Sequence, residues 1–267
     1  MTGRMFGSVV LIGVLLLLGP TAALAQANCD GRDVPPGVRD PQAVARFMTG
    51  VRHDRGVRVG RVSYLNYNAL SPRLKSITLA GFQFMEVRAG DSADPGQPQL
   101  AEFVTASYFD VLGVQMQAGR AFATSHDEPA DPALEAVISH ALWESMFDRL
   151  ASVVGSTVAV NGRPVTIVGV AAPEFRGMAP LGAATALWLP GVSLPLLSDR
   201  PGLRSDDRAS GGYYEFVARQ APGATWADAA QELTSATRWL LQQYPVENAK
   251  FTEVGFHSVR DLFCAGR

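Results

Sequence analysis

Histidine, cysteine and clustered carboxylates are the residue types in this chain that bear most directly on chemistry. The four histidines are His53, His126, His140 and His257. No two stand at metal-ligand spacing, and neither Cys29 nor Cys264 lies beside one, so no metal ligand set is read. Asp206 and Asp207, with Asp199 and Glu215, offer carboxylates for acid–base work. Their setting, "SDRPGLRSDDRASGG" (198–212), is polar and glycine-rich and reads as a solvated loop. Ser139-His140 pairs a hydroxyl with an imidazole, but neighbours on a helix do not face each other, and a helix N-cap accounts for Ser139. Trp143, Trp188, Trp226 and Trp239 can line a ligand site; three of them fall on apolar faces of expected elements and read as core. The sequence contains no GxxxxGK[ST] loop, no GxGxxG turn after a strand and no GxSxG elbow. The reading is therefore no catalytic residue, no cofactor, no metal and no bound nucleotide.

Any site needs elements to hold it, and 267 residues are enough for one large domain or two small ones. Hydrophobic content of 47% and charged content of 18% are those of an ordinary globular protein. A net charge of −2 gives no basic footprint for nucleic acid. The N-terminus is more specific. Arg4 precedes the apolar run "VVLIGVLLLLG", Pro20 breaks it, and "TAALAQA" places small residues at cleavage-site spacing. Residues 1–27 are expected to be a secretory signal peptide, with mature protein beginning near Gln26 or Asn28 in the periplasm or outside the cell. The alternative is an uncleaved anchor in the inner membrane, because the uncharged stretch Met5–Asn28 exceeds the ~20 residues that span a bilayer. An oxidising compartment permits a disulfide between Cys29 and Cys264, near opposite ends of the mature chain. Asn28 stands where a lipobox needs a small residue, which argues against lipidation of Cys29.

Residues 28–60 begin with the turn-rich "DVPPGVRDP" and are expected to form an exposed leader containing a short helix over "PQAVARFMTGV". Ser63 precedes Tyr64, Tyr67 and Leu70 at helical spacing. "FQFMEVRA" (82–89) and "LAEFVT" (100–105) read as strands joined by a long loop. In "SYFDVLGVQMQAGRAF" (107–122), Ser107 caps a short helix, Gly113 ends it, and Gly119 serves a tight turn. Ala136–Ile138 reads as a strand and Ser139 as the cap of a helix bearing Leu142, Trp143, Met146 and Phe147. "TVAVNGRPVTIVGVA" (157–171) places Asn161-Gly162 between two β-rich runs, the signature of a hairpin with positive φ at both turn positions. "ALWLP" (186–190) and "YYEFVAR" (213–219) are further strands. Thr225 and Asp228 form a capping box at the start of a long amphipathic helix that Pro245 stops. "FTEVGFHSV" (251–259) completes a strand–helix–strand, or βαβ, unit.

Taken in order, "SYLNYNAL", "SYFDVLGVQMQAGRAF", "AVISHALWESMF", "VVGSTVAVNGRPVTIVGVAAPEFRG", "LWLP" and "FVARQAPGATWADAAQELTSATRWLLQQYP" resemble the MacB-like periplasmic core domain of ABC transporter permeases, over about residues 60 to 260. The resemblance implies an α+β fold with a small α/β subdomain inserted into a βαβ-containing one. The expected bounds are 61–106 and 206–262 for the βαβ-containing subdomain and 107–205 for the insert. Gly113, Gly119, Asn161 and Gly162 then serve turns. The resemblance carries over no catalytic residue. It implies a non-catalytic interaction domain whose partner is an envelope protein such as an ABC permease or a periplasmic adaptor. In a full permease the domain lies between the first and second membrane helices; here the chain is expected to be a truncated or stand-alone relative. A periplasmic solute-binding domain, with a pocket between the subdomains, is the alternative, and a hydrolase with a dispersed site is the least supported reading.

Overall fold

A computed structural model describes residues 35–53, 56–60, 62–90, 96–123, 134–179, 183–198, 207–208, 214–248 and 255–258. The expected signal peptide, Cys29, Cys264, His126, Asp199 and Asp206 lie outside the described residues. The described residues form eleven strands: β1 (Val44–His53), β2 (Gly56–Gly60), β3 (Ile77–Gly90), β4 (Gln97–Val104), β5 (Met116–Gly119), β6 (Glu135–Ile138), β7 (Thr157–Val160), β8 (Arg163–Ala171), β9 (Leu187–Pro190), β10 (Glu215–Gln220) and β11 (Gly255–Ser258). The helices are α1 (Tyr64–Leu70), α2 (Tyr108–Leu112), α3 (His140–Phe147), α4 (Leu194–Leu197) and α5 (Trp226–Gln243). The fold is α+β. Among the described residues no helix is long and apolar enough to cross a membrane.

The strands form one sheet in the order β11-β1-β10-β3-β4-β9-β6-β8-β5, with β2 on β1 and β7 paired to both β3 and β8. The double pairing of β7 closes the ring β3-β4-β9-β6-β8-β7 into a small six-stranded barrel. The strands β11, β1 and β10 and the first part of β3 remain an open antiparallel sheet. Strand β3 belongs to both: Ile77–Phe82 pairs with β10, Phe82–Ala89 with β4, and Ala89–Gly90 with β7.

Period-two alternation fills the barrel. Met85 and Val87 of β3, Ala101 and Phe103 of β4, Ile138 of β6, Val158 and Val160 of β7, Ile167 of β8 and Leu187 and Leu189 of β9 share one buried cluster. Burying each large aliphatic side chain contributes ~1.5–3 kcal/mol. The opposite faces of β3, β4 and β9 present Phe82, Val104 and Trp188 to Tyr108, Phe109, Val111 and Leu112 of α2. Helices α1 and α5 cover the open sheet, packing Tyr64, Tyr67, Leu70, Leu233 and Leu240 against Phe47, Leu79 and Phe216.

Local signals set the helix starts. Ser63 Oγ accepts the Asn66 N–H at 3.2 Å and Ser139 Oγ the Leu142 N–H at 3.1 Å. Thr225 and Asp228 form a reciprocal capping box on α5. Asn161 and Gly162 join β7 to β8 with φ of 49° and 78°. Strands β10 and β11 each pair antiparallel with β1, so they run parallel to each other with β1 between them, making α5 the crossover of a split βαβ unit.

One reading is corrected. Residues 44–53, expected as part of an exposed leader with a short helix, form β1 at the centre of the open sheet. Val44 and Phe47 are three apart, as on a helix, but each is buried against the core from an extended strand. Long-range pairing to β10 and β11 overrides the local pattern.

Candidate functional site

Strand β4 alternates, so Glu102 points to the side opposite Ala101 and Phe103 and emerges on the outer face of the barrel, beneath α2. It is 0% exposed. Oε1 accepts the Met178 N–H at 2.7 Å and the Thr185 hydroxyl at 2.5 Å. Oε2 accepts the Trp188 indole N–H at 3.2 Å and a very short hydrogen bond from the Tyr108 hydroxyl. Trp188 is the β9 residue in register with Glu102. Tyr108 opens α2, Thr185 leads into β9, and Met178 lies in the coil 172–179 that follows β8. Gly177, with φ 77°, lets that coil approach: a Cβ there would lie 2.1 Å from Glu102 Oε1. Phe175 stacks on Trp188 with centroids 5.2 Å apart, and Phe109 meets the same indole edge-on at 5.6 Å.

Among the described residues no arginine, lysine or histidine bonds Glu102. Burial pushes its carboxyl above the usual glutamate range, against the pull of its hydrogen bonds from Thr185, Tyr108, Met178 and Trp188. Burial and the adjacent carboxylate push the Tyr108 phenol well above its own usual range. The cluster is closed to solvent. It can hold a proton and fasten β4, β9, α2 and the coil 172–179 to one another.

A second knot adjoins it. Ser107, expected to cap α2, makes no cap bond; its hydroxyl donates to the Leu79 carbonyl at 2.9 Å and meets the Tyr67 hydroxyl at 3.0 Å. Thr105 Oγ1 accepts the Gly81 N–H at 3.0 Å. Residues 105–108 thus bond to α1 and β3 on the open-sheet side and to Glu102 on the barrel side. Gly113 ends α2 with φ 65°, where the Arg39 N–H reaches the Leu112 carbonyl at 3.0 Å and Arg219 Nε the Val111 carbonyl at 2.6 Å.

The remaining residues singled out from the sequence are dispersed. Gly119, with φ 72°, lets β5 cross β8, since a Cβ would lie 2.2 Å from the Val168 carbonyl oxygen. Asn161 acts beyond its turn: Oδ1 accepts the Arg88 N–H at 2.8 Å and Nδ2 donates to the Leu197 carbonyl at 2.7 Å, which stitches the hairpin tip to β3 and α4. His140 Nε2 lies 3.3 Å from Glu144 Oε1 on the surface of α3, while Ser139 is occupied as a cap. His53 and His257 lie on β1 and β11, at separate register positions. Glu215 pairs with Arg46 rather than with a second carboxylate. The tryptophans divide among the three core clusters and line no common cavity. An open depression of about 490 Å³ on the outside of α5 is lined by Arg73, Asp228, Gln231, Glu232, Ser235, Ala236 and Trp239, with the Arg73 guanidinium 3.3 Å above the Trp239 ring centre. Among the described residues no group of His, Cys, Asp or Glu is arranged to hold a metal.

Sequence reading missed Glu102, Gly177, Met178 and Thr185. The available signal was one acidic residue in the apolar strand "LAEFVT", since a glutamate is almost never fully buried unless it is paired.

Residues 34–236 match the sequence profile of the MacB-like periplasmic core domain. The chain belongs to that family. The matched span begins ahead of β1, so the family domain includes residues 34–60 of the segment expected as a leader. Among solved structures, the chain is similar to the periplasmic region of MacB from Actinobacillus actinomycetemcomitans, at 15% identity and a TM-score of 0.52, covering 88% of this chain and 94% of that one. It is also similar to the extracellular domain of the noncanonic ABC-type transporter YknZ from Gram-positive bacteria, at 15% identity and a TM-score of 0.53, covering 80% and 98% of the two chains. No curated protein sequence matches it. At this identity the likeness is one of fold. In this MacB-like core domain the Glu102 cluster lies wholly inside the matched span.

Proposed function

We propose that this chain is a non-catalytic interaction domain of the cell envelope, acting beside an ABC permease or a periplasmic adaptor. The observation that carries the proposal is the family match over residues 34–236. The disposition of the polar groups supports it. Glu102, a carboxylate with four hydrogen-bond donors, is enclosed and serves packing, and the hydroxyls of Thr105, Ser107 and Ser139 are occupied in structural bonds. The layer beneath α2 is filled by Glu102, Tyr108, Phe109, Phe175 and Trp188.

On this reading residues 1–27 direct export, with cleavage near Gln26 or Asn28, and the domain works in the periplasm or outside the cell. The open sheet with α1 and α5, joined by β1, is the βαβ-containing subdomain; of its expected span 61–106, β4 and the second half of β3 pair into the barrel with strands of the expected insert 107–205, and that barrel side is the one that meets the partner. In the oxidising compartment this reading assigns, Cys29 and Cys264 form a disulfide. The test is crosslinking in living cells from single positions across residues 115–130 and 175–197, read by mass spectrometry. One envelope partner, lost when the crosslinking segment is replaced by a polar linker, is the expected result. No partner, together with a small molecule retained by the native protein, would overturn the proposal in favour of solute binding.

A further inference from the structure

Two arginines and two aromatic rings form one chain of contacts at the C-terminal end of α5. Trp239 lies in the last turns of the helix, and Tyr244 is the residue that ends it. Their rings meet edge-on with centroids 6.4 Å apart. The Arg73 guanidinium, on the single turn Ser71–Arg73 that follows α1, lies 3.3 Å above the Trp239 ring centre, and the Arg208 guanidinium lies 3.7 Å above that of Tyr244. The frame behind them is fixed. Asn66 and Asn248 are buried; Asn66 Nδ2 donates to Asn248 Oδ1 at 2.7 Å, and Asn248 Nδ2 donates to the Tyr244 carbonyl at 3.0 Å. Arg208 gives one nitrogen, Nη1, to the Leu65 carbonyl at 2.9 Å and to Asn66 Oδ1 at 2.7 Å.

Among the described residues neither guanidinium meets a carboxylate. Arg73 has a single long bond, from Nη1 to the Ala69 carbonyl at 3.5 Å, and Arg208 bonds through Nη1 alone. We propose that the Arg73–Trp239–Tyr244–Arg208 group is a docking site for an acidic segment of a partner protein, whose carboxylates take the remaining N–H donors of the two guanidiniums. A guanidinium held over a ring has already lost much of its rotamer freedom, and its planar fork matches a carboxylate, so little ordering is left for binding to impose.

Charge and composition select this occupant. Trp, Tyr and Arg are the residues in which protein interfaces concentrate their binding free energy. Val246, two residues past Tyr244, is 83% exposed and offers an apolar contact beside the charged one. The surface has no broad positive field of the kind that draws a polyanion or an anionic membrane: Asp207, Asp228, Glu232 and Glu247 are interleaved with Lys75 and Arg238 on the same elements. Two fixed guanidiniums set among these carboxylates suit a segment that brings a carboxylate to each, next to an apolar side chain. The site lies on the helical layer over the open sheet, whereas the partner proposed above meets the barrel side.

The probe is a short synthetic peptide with two glutamates flanking a leucine, compared with the same peptide carrying glutamine or lysine in their place. Proton–nitrogen correlation spectra of the purified chain read binding at the Trp239 indole N–H and the arginine Nε–H signals. The glutamate peptide is expected to shift the Trp239, Arg73 and Arg208 signals and to leave the Trp143 and Trp188 indoles in place. The glutamine peptide is expected to bind about tenfold more weakly or worse, because it replaces charge-assisted hydrogen bonds by neutral ones. Arg73→Glu gives up only the long bond to Ala69 and the contact with Trp239, and is expected to lose the glutamate peptide and take the lysine peptide instead. Arg163→Glu, at the start of β8, is expected to change nothing. The comparison of peptides on the unmodified chain does not depend on any variant folding. Equal binding of the glutamate and glutamine peptides, or glutamate-peptide binding that survives Arg73→Glu, would overturn the proposal. So would peptides that leave these signals unmoved while Arg73→Glu abolishes binding to phosphatidylglycerol vesicles or self-association in sedimentation, since a membrane or a second copy would then be the occupant.

Discussion

Glu102 and Glu232 each fasten one segment to another by accepting several hydrogen bonds, yet their acidities move in opposite directions. Glu232 on α5 takes the Lys75 N–H at 2.8 Å, the Ser76 N–H at 2.9 Å and the Ser76 hydroxyl at 2.7 Å on a single oxygen, and it is held below the usual glutamate range, chiefly by the Ser76 bonds. Glu102 takes four donors on two oxygens and is held above that range, chiefly by burial. The number of hydrogen bonds does not decide the direction. Water still solvates Glu232, so its bonds are added to a charge already stabilised. Glu102 has lost water and gained no cation, and neutral donors only partly replace what was lost.

The largest expected effect is at the buried end of this comparison. Glu102→Ala leaves the Met178 N–H, the Trp188 N–H and two hydroxyls without their acceptor in a closed layer, and is expected to lower unfolding stability by about 3–5 kcal/mol. Denaturant unfolding followed by far-ultraviolet circular dichroism measures it; a loss under ~1 kcal/mol would mean that the cluster fastens nothing. Gly177→Ala combines a positive φ with a Cβ pressed on Glu102 Oε1, and is expected to cost about 2–3 kcal/mol in the same assay. An unchanged midpoint would show that the coil does not approach β4 as described.

Asn161→Ala removes the two side-chain bonds from the hairpin tip to β3 and α4 while its backbone N–H keeps the Arg88 carbonyl, and about 1–2 kcal/mol of stability should go with them. Gly162→Val, which forces a β-branched residue to positive φ, should cost more than about 1 kcal/mol. An unaltered melting temperature in both variants would place the turn elsewhere. Glu232→Gln, on the wet flank of α5, is expected to cost less than about 1 kcal/mol.

What the sequence could reveal follows the range of the interactions. Ser63, Ser139 and the Thr225–Asp228 box each act within three residues, and their helices begin where the sequence indicates. The pairing of β7 with the far end of β3, which closes the barrel, and the place of β1 between β10 and β11 are contacts between distant segments, and no local pattern announces them. Ser107 shows the same limit: its residue type and position suggest a cap, but a carbonyl on β3 claims its hydroxyl. The Glu102 cluster was hardest to foresee. Its donors come from residues 6, 76, 83 and 86 positions away in the chain, and one of them is a backbone N–H whose identity carries no signal.

The contrast between the two glutamates makes opposite pH dependences. A raised folded pKa at Glu102 contributes stability that is full below the ordinary glutamate range and is lost as the pH rises through the folded value. A lowered folded pKa at Glu232 contributes stability that is present above the ordinary range and is lost as the pH falls through the folded value. The most direct measurement is therefore unfolding free energy against pH, from about pH 3 to pH 8, for the unmodified chain, Glu102→Gln and Glu232→Gln. Relative to the unmodified chain, Glu102→Gln should become less unfavourable as the pH rises above the ordinary glutamate range, and Glu232→Gln less unfavourable as it falls below that range. Difference curves of the same sign for both variants, or a flat curve for Glu102→Gln, would contradict the claim that burial without a counter-charge governs the centre of this domain.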